Sequence, residues 1–451
     1  MKKITIITTV VTLFLMQTTL FAQWQNIGSG KISGTKQVFS ISSLNEDVVW
    51  AIAFSPSNPR DFEFTKTENG GVKWLNVSWQ DTSNSYYPVN IIAINKDTAW
   101  VVMVNYPAQD RSMIIKTIDG GLNWINQPGP FNSAGHAFAT MHFFNSNEGV
   151  CFGSPGTSNS AIDSLQIFRT TDGGQNWNRI PASSLPTPLQ GEGVWVFSGN
   201  NSYESKGDTL WFISRAGRVF RTTDKGATWN AYSVGNAIQK EVSLAFQNST
   251  TGIVIKNNPC SAYKTVDGGE TWSSISIPSV INTMAAIEYI PGTNSTYVVH
   301  ASTFGPSSST LLITNDGGLT WNSGTYQPQV GCLQFLSPSI GFAGSLTNQT
   351  NQTGLYKWAG NVVGIEKLDD NSSIIISPNP SNKQVYIDIK DNYFDNDIVV
   401  EIISIQGDIV YTSKAQNSGR IKINTESLAN GVYLVRVFDG LKTVTRKMVK
   451  N

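Results

Sequence analysis

The sequence predicts an all-β protein: a seven-bladed β-propeller whose N-terminal strand closes the last blade, followed by a small C-terminal β-sandwich. Three observations carry this. One hairpin motif recurs six times at nearly even spacing. The composition, with 39 Gly, 18 Pro and 11% aromatic residues, favours strands and turns over helices. The C-terminal segment alternates apolar and polar residues in short runs, the period of half-buried strands. With 32 basic and 32 acidic side chains the 451-residue chain has zero formal charge, so no basic face is available to neutralise phosphates. That argues against nucleic acid as a partner. Charged residues are only 14% of the chain, under the roughly 25% of ordinary soluble proteins, so the surface is polar but mostly uncharged.

The N-terminus runs Met1-Lys2-Lys3, then a largely apolar stretch over 4–21, then Ala22-Gln23. This is the order of a secretory signal, and residues 1–22 are expected to be removed, leaving no integral membrane span. Thr8, Thr9, Thr12, Gln17, Thr18 and Thr19 interrupt the stretch, which is unlike an anchor. No Cys follows it to carry a lipid. Cys151, Cys260 and Cys332 are too few and too scattered for a disulfide framework.

The repeat has the form Thr-x-Asp-x-Gly-x-x-Trp and occupies 67–74, 117–124, 170–177, 222–229, 265–272 and 314–321. Asn69 replaces the acid in the first copy; Asp119, Asp172, Asp224, Asp267 and Asp316 supply it in the others. Such an Asp accepts hydrogen bonds from backbone N–H groups just ahead of it, Gly takes the positive φ, and the Thr hydroxyl closes the turn. Trp then packs between sheets. These acids are therefore expected to be structural. Successive Trp positions lie 50, 53, 52, 43 and 49 residues apart, room for four short strands per unit in the order A, B, C, box, D. Segments such as 113–116 and 165–169 form C strands; 89–105 and 242–256 form A–B hairpins.

Both ends complete the count. Trp24-Gln25-Asn26-Ile27 reads as a D strand like Trp177-Asn178-Arg179-Ile180, and precedes Trp74 by 50 residues. Gly354-Leu355-Tyr356-Lys357-Trp358 reads as a C strand with no box after it. Pairing the two removes an exposed edge and divides residues 23–358 into seven blades of 48 residues. A linker is expected at 359–373 and the sandwich at 374–451, with strands over 385–389, 398–405, 409–412, 421–423, 432–438 and 443–449.

The six boxes resemble the Asp-box (BNR) repeat of sialidases, sortilin-type receptors, some glycoside hydrolases and propellers related to photosystem II assembly factors. The whole propeller is most similar to the last group. Ser377-Pro378-Asn379-Pro380, Ile405-Gln406-Gly407, Leu428-Ala429-Asn430-Gly431-Val432-Tyr433 and the closing Lys447-Met448-Val449-Lys450 resemble the C-terminal sorting domain of the type IX secretion system of Bacteroidetes. That resemblance implies export, with the secretion machinery as partner of residues 374–451. It also implies a mature form that is either released or tied to surface glycolipid.

Propeller topology places the D-to-A and B-to-C loops on one face and the boxes on the other. The loop face collects Trp79, Tyr86, Tyr87, Tyr106, Phe131, His136, Glu192 and Glu241. Its aromatic residues are suited to stacking on sugar rings or to docking a protein. Glu192 and Glu241 each precede a phenylalanine, Phe197 and Phe246, by five residues. As equivalent carboxylates at the channel mouth they would serve a glycosidase as acid and base; as solvated or ion-paired groups, with Lys240 beside one, they would be structural. His136 and His142 flank an inner strand, and three His and three Cys without ligand spacing predict no metal. The glycine pairs lie in hairpins, which predicts no nucleotide cofactor. Resemblance to sialidases would require three arginines, a Tyr-Glu pair and an Arg-Ile-Pro motif ahead of the first box; Arg179-Ile180-Pro181 follows the third. The sequence thus points to an exported binding or scaffold module for a glycan or protein, with a secreted glycoside hydrolase as the alternative.

Overall fold

The computed structural model describes residues 24–28, 32, 36–77, 79, 85–131, 139–153, 165–189, 192–194, 203–214, 216–235, 242–257, 260–278, 285–301, 309–326, 329–345, 354–359, 374–389, 394, 396–404, 409–417, 419–439 and 443–451. The expected signal segment and all of the expected linker except Ala359 lie outside them. The chain divides into two compact units, Met1–Val363 and Gly364–Asn451.

Among the described residues of the first unit are seven four-stranded antiparallel sheets. The first runs Gln37–Ser43, Val48–Ser55, Asn58–Glu68, Trp74–Asn76. The next five begin at Tyr86–Ala93, Ala139–Phe143, Tyr203–Lys206, Val242–Phe246 and Ala285–Tyr289. The seventh starts with Val330–Ser337 and is completed by the N-terminal strand Trp24–Asn26. Trp24 pairs with Trp358 and Asn26 with Tyr356, as the end-joining arithmetic requires. The Trp24 and Trp358 rings meet edge to face at 5.2 Å. Ile27 then passes the closure outward: its carbonyl accepts the Trp74 indole N–H at 2.9 Å.

Each box closes as its residue types dictate. In the third copy the Thr170 hydroxyl donates to Asp172 Oδ1 at 2.8 Å and accepts from Gly174 N–H at 2.9 Å, while Asp172 Oδ1 accepts from Asn176 N–H at 2.9 Å. Lys225 occupies the first glycine position of the fourth copy with φ 55°, so that place tolerates a side chain. The second glycine does not. A Cβ on Gly71 would lie 2.5 Å from Ile27 Cδ1 of the adjoining sheet.

Sheets are joined through these turns. The Gly173 carbonyl accepts both the Trp100 indole N–H at 3.2 Å and the Lys116 ammonium at 3.1 Å from the preceding sheet. The Lys225 carbonyl receives Arg169, Gly268 receives Trp211 and Arg221, and Gly317 receives Lys264. In four copies the basic residue just ahead of the box threonine therefore docks on the next box, while Lys66 donates to the Lys96 carbonyl at 3.0 Å.

The second unit forms a sandwich of a three-stranded and a four-stranded sheet. Ile387 and Ile423 from one sheet share a core with Val400, Val435 and Met448 from the other. Asn379 of the Ser-Pro-Asn-Pro segment accepts the Val449 N–H at 2.8 Å and donates to the Lys447 carbonyl at 2.8 Å. The opening and closing motifs of the domain are thus bonded to each other.

Two outcomes follow. Trp24→Ala is expected to lower propeller stability by about 3 kcal/mol, since it removes a large ring from the closure, read as a fall in denaturant midpoint. The second concerns acid. The Asn123 N–H, with the Asn123 and Thr117 side chains, holds Asp119 down to about 2. Asp172 is lowered by Asn176 in the same way. At Asp224 and Asp316 burial pushes upward but is outweighed by the Thr228 and Thr320 hydroxyls and backbone N–H groups. A depressed folded-state pKa contributes stability that is complete above the unfolded value near ~3.9 and lost as pH falls through the folded value. Melting temperature should therefore hold from neutral pH to about 5 and fall progressively between about pH 4 and 2. Asp119→Asn/Asp172→Asn should flatten that decline in circular-dichroism melts.

Candidate functional site: the hub cavity and its aromatic mouth

The first strand of each sheet turns one backbone edge toward the hub, where no further strand pairs with it. Buried N–H groups need partners, and side chains of the preceding sheet provide them. Ser40 and Ser42 hydroxyls accept the N–H of Ile91 and Ala93 at 3.3 and 3.0 Å. The Glu204 carboxylate accepts from Phe246 N–H, the Ser243 hydroxyl from Ile287 N–H at 3.0 Å, and Glu288 Oε1 from Phe335 N–H at 2.6 Å. Gln334 Oε1 accepts from Ser43 N–H at 2.8 Å and returns the chain of clamps to the first sheet.

One register position governs this layer. Ser42, Ile92, His142, Glu204, Ala245, Glu288 and Gln334 each sit opposite the same place on their second strands, from Trp50 to Phe342. All of them but Ala245 line a cavity of about 480 Å³ to which six of the seven inner strands contribute. Glu204 is paired with Lys206, 3.2 Å away. Burial pushes Glu204 above the usual carboxylate range, and Lys206 opposes without reversing it. Burial drives Glu288 well above that range; the Phe335 N–H opposes and the Glu204 charge adds to the rise. Burial also lowers His142 to about 4, so it is neutral at physiological pH.

At one end of the cavity the rings converge. Phe39 stacks on Phe54 at 3.9 Å, Phe54 meets Tyr87 at 5.7 Å, and Tyr87 meets Tyr106 at 6.1 Å. Gln109 donates to the Tyr87 hydroxyl at 3.1 Å and the Arg60 guanidinium lies 5.6 Å over the Tyr106 ring. Trp79 stacks on Phe62 at 6.4 Å, and both Trp79 and Tyr86 pack against the core between the first two sheets. Trp79, Tyr86 and Tyr106 are half-buried, whereas Tyr87 is buried. Burial raises the Tyr87 phenol to about 12. Phe39, Phe54, Tyr87 and Gln109 line the cavity itself.

The structure therefore gathers Trp79, Tyr86, Tyr87 and Tyr106, four residues that the sequence assigned to the loop face. Phe131 is a core residue, packed at 5.2 Å on Phe168. His136 and Glu241 lie outside the described residues. Glu192 departs from the expected place. Phe197 lies outside the described residues, and the inner strand of the sheet is Tyr203–Lys206, with Glu204 at the register position that Ala245 holds in Val242–Phe246, so Glu192 is not the counterpart of a residue next to that strand. Its side chain is fully buried against Arg218, whose guanidinium bonds both carboxylate oxygens. Ser214 and the Leu189 N–H complete the set at 2.7 and 3.0 Å. Burial raises its pKa, yet these donors outweigh it and leave Glu192 lowered and ionised.

The hub carboxylates Glu204 and Glu288 escaped sequence reasoning. His142, read as flanking an inner strand, lies within it. In four sheets the register position falls three residues ahead of an Asn that caps the A–B turn, namely Asn45, Asn95, Asn145 and Asn248. Aligning the turns on that Asn would have exposed the column. Among the described residues no three His, Cys, Asp or Glu side chains gather to hold a metal ion.

Residues 375–451 match the secretion system C-terminal sorting domain, and residues 106–242 match photosynthesis system II assembly factor YCF48. The chain joins a BNR-type propeller to a secretion sorting domain. The solved structure of YCF48 bound to D1 peptide covers 76% of this chain and 98% of its own at 16% identity, with a TM-score of 0.52. YCF48 from Cyanidioschyzon merolae covers 75% and 99% at 15% identity and a TM-score of 0.49. The Hadza microbial sialidase Hz136 covers 75% and 68% at 12% identity and 0.40. At 16% identity the likeness to YCF48 bound to D1 peptide shows the fold alone. No curated protein matches the chain. The sorting domain marks the BNR propeller for type IX secretion to the cell surface or extracellular space. No helix among the described residues is long and apolar enough to cross a membrane.

Arg218→Ala strands the buried Glu192 charge and is expected to destabilise the propeller by about 3 kcal/mol or more. Adding Glu192→Leu should recover most of the loss in the same denaturation assay.

Proposed function

We propose that the secreted propeller is a binding module acting at the cell surface or outside it, with its ligand approaching the aromatic mouth of the hub. The observation that carries this reading is the grouping of half-buried Trp79, Tyr86 and Tyr106 with a cavity whose lining includes Phe39, Phe54 and Tyr87. Rings that are fixed by stacking lose little conformational freedom on binding, and they offer flat apolar faces to a sugar ring or a peptide side chain.

The glycoside hydrolase reading has one observation in its favour, the elevated Glu288, since a general acid needs a raised pKa. Against it, Glu204 and Glu288 each serve as a backbone clamp, and Glu204 is neutralised by Lys206. A carboxylate bonded to the frame is poorly placed to follow a reacting atom.

Retention on glycan arrays and on immobilised surface proteins, with product analysis in parallel, separates the two. A binding module gives saturable retention without product, reduced about tenfold, or about 1.4 kcal/mol, by Trp79→Ala or Tyr106→Ala at temperatures where both variants remain folded. Turnover that survives both ring substitutions would overturn this reading.

A further inference from the structure

We propose that the hub cavity binds a primary ammonium group, carried by an amino sugar or a lysine side chain, with Glu288 as its counter-ion. The proposal rests on the reading that ligands approach through the aromatic mouth, and it adds the chemistry of what reaches inside.

Glu288 is 7% exposed and lines the cavity. Its Oε1 is taken by the Phe335 N–H, while its Oε2 has no hydrogen-bond partner among the described residues. A buried carboxylate oxygen without a donor is costly and uncommon in native proteins. The Lys206 ammonium favours the charged form of Glu288 but does not offset burial. The described lining contains no Lys or Arg, and His142 is neutral. Of the groups that face Glu288, Lys206 is held by Glu204, and Glu204 and Cys332 bring no positive charge. Asn90 Oδ1, also in the lining, is a second buried acceptor without a donor.

A cavity with spare acceptors and no spare cation selects a ligand that donates and is positive. Anionic sugars are disfavoured by the same carboxyl groups, which burial already holds against ionising. With Oε1 already occupied, Glu288 offers one oxygen instead of a two-pronged acceptor, which suits a compact ammonium over a planar guanidinium. The volume of about 480 Å³ accommodates a monosaccharide or a long side chain. Phe39, Phe54 and Tyr87 supply apolar walls for the carbon skeleton behind the charge.

Calorimetric titration of the full secreted chain with four probes tests this: glucosamine, N-acetylglucosamine, Nα-acetyl-lysine amide and its Nε-acetylated form. At least one free amine should bind about tenfold or more tightly than its acetylated counterpart, a difference of about 1.4 kcal/mol. The tighter of the two amines identifies the source. Glu288→Gln keeps an acceptor for the Phe335 N–H and removes the carboxyl that ionises beside a bound ammonium, so melting temperature should hold while the preference for the amine disappears. Glu288→Asp, which retains an ionisable carboxyl, should retain the preference. Equal binding of free and acetylated amines, or an amine preference unchanged in Glu288→Gln, overturns the proposal. Absence of amine binding in a chain that still shows ring-dependent retention overturns it too and leaves the binding-module reading standing.

Discussion

The fold depends on bonds that carry each sheet to the next, because a four-stranded sheet of short strands has too little core of its own. The bonds occur at two radii. Near the boxes, the carbonyl one residue after the aspartate receives a cation, and at Gly173 and Gly268 also an indole N–H, from the sheet before. At the hub, a serine, glutamate or glutamine of one sheet caps the bare edge of its neighbour. Between these radii the apolar clusters are shared by adjacent sheets; Trp50 and Ile52 of the first pack with Ile91 and Val101 of the second. The Trp24 strand matters because it lets this sequence of contacts return to its start.

The same constraint decides how polar residues at the hub should be understood. A carboxylate lining a channel invites a catalytic interpretation, yet Glu204 and Glu288 occupy the register position where Ser42 and Gln334 do the same capping. Capping uses one oxygen. What distinguishes Glu288 is the oxygen left over, and functional meaning attaches to that remainder. Glu192 illustrates the opposite case: every lone-pair direction that matters is met by Arg218, Ser214 and Leu189, so its chemistry is spent on holding a loop.

The boxes were legible in the sequence because each fixed residue answers a local demand: a positive φ, a turn-closing hydroxyl, an acceptor for N–H groups four residues ahead. The closing strand was legible because Trp24 and Trp358 lie at the right distances from the repeats. The hub was not, because its contacts join residues about fifty positions apart and the spacing to a visible landmark varies. The turn after Glu204 passes through Gly207, with Asp208, where four others use Asn, and the turn after Glu288 is lengthened through Gly292. Counting back from Phe197 drew Glu192 into a false equivalence, since the residue in register with Ala245 is Glu204. The aromatic mouth was legible as a set of rings on shared loops, whereas Phe131, indistinguishable by residue type, fell into the core.

The low content of charge acquires a physical reason in this arrangement. Lys66, Lys116, Arg169, Arg221 and Lys264, one ahead of each of five boxes, are turned against neighbouring sheets, with Lys66 only 4% exposed. Cations used for assembly are withdrawn from the surface, and a neutral exterior exerts little long-range steering on a charged partner. Under the proposed binding reading, recognition would depend on short-range contact with rings and on fields that act where water is thin. The hub is such a place, since charge in a low-dielectric enclosure interacts far more strongly than charge on the rim. On the binding reading proposed above, a propeller with this distribution of residues would gain selectivity by admitting a group to its axis.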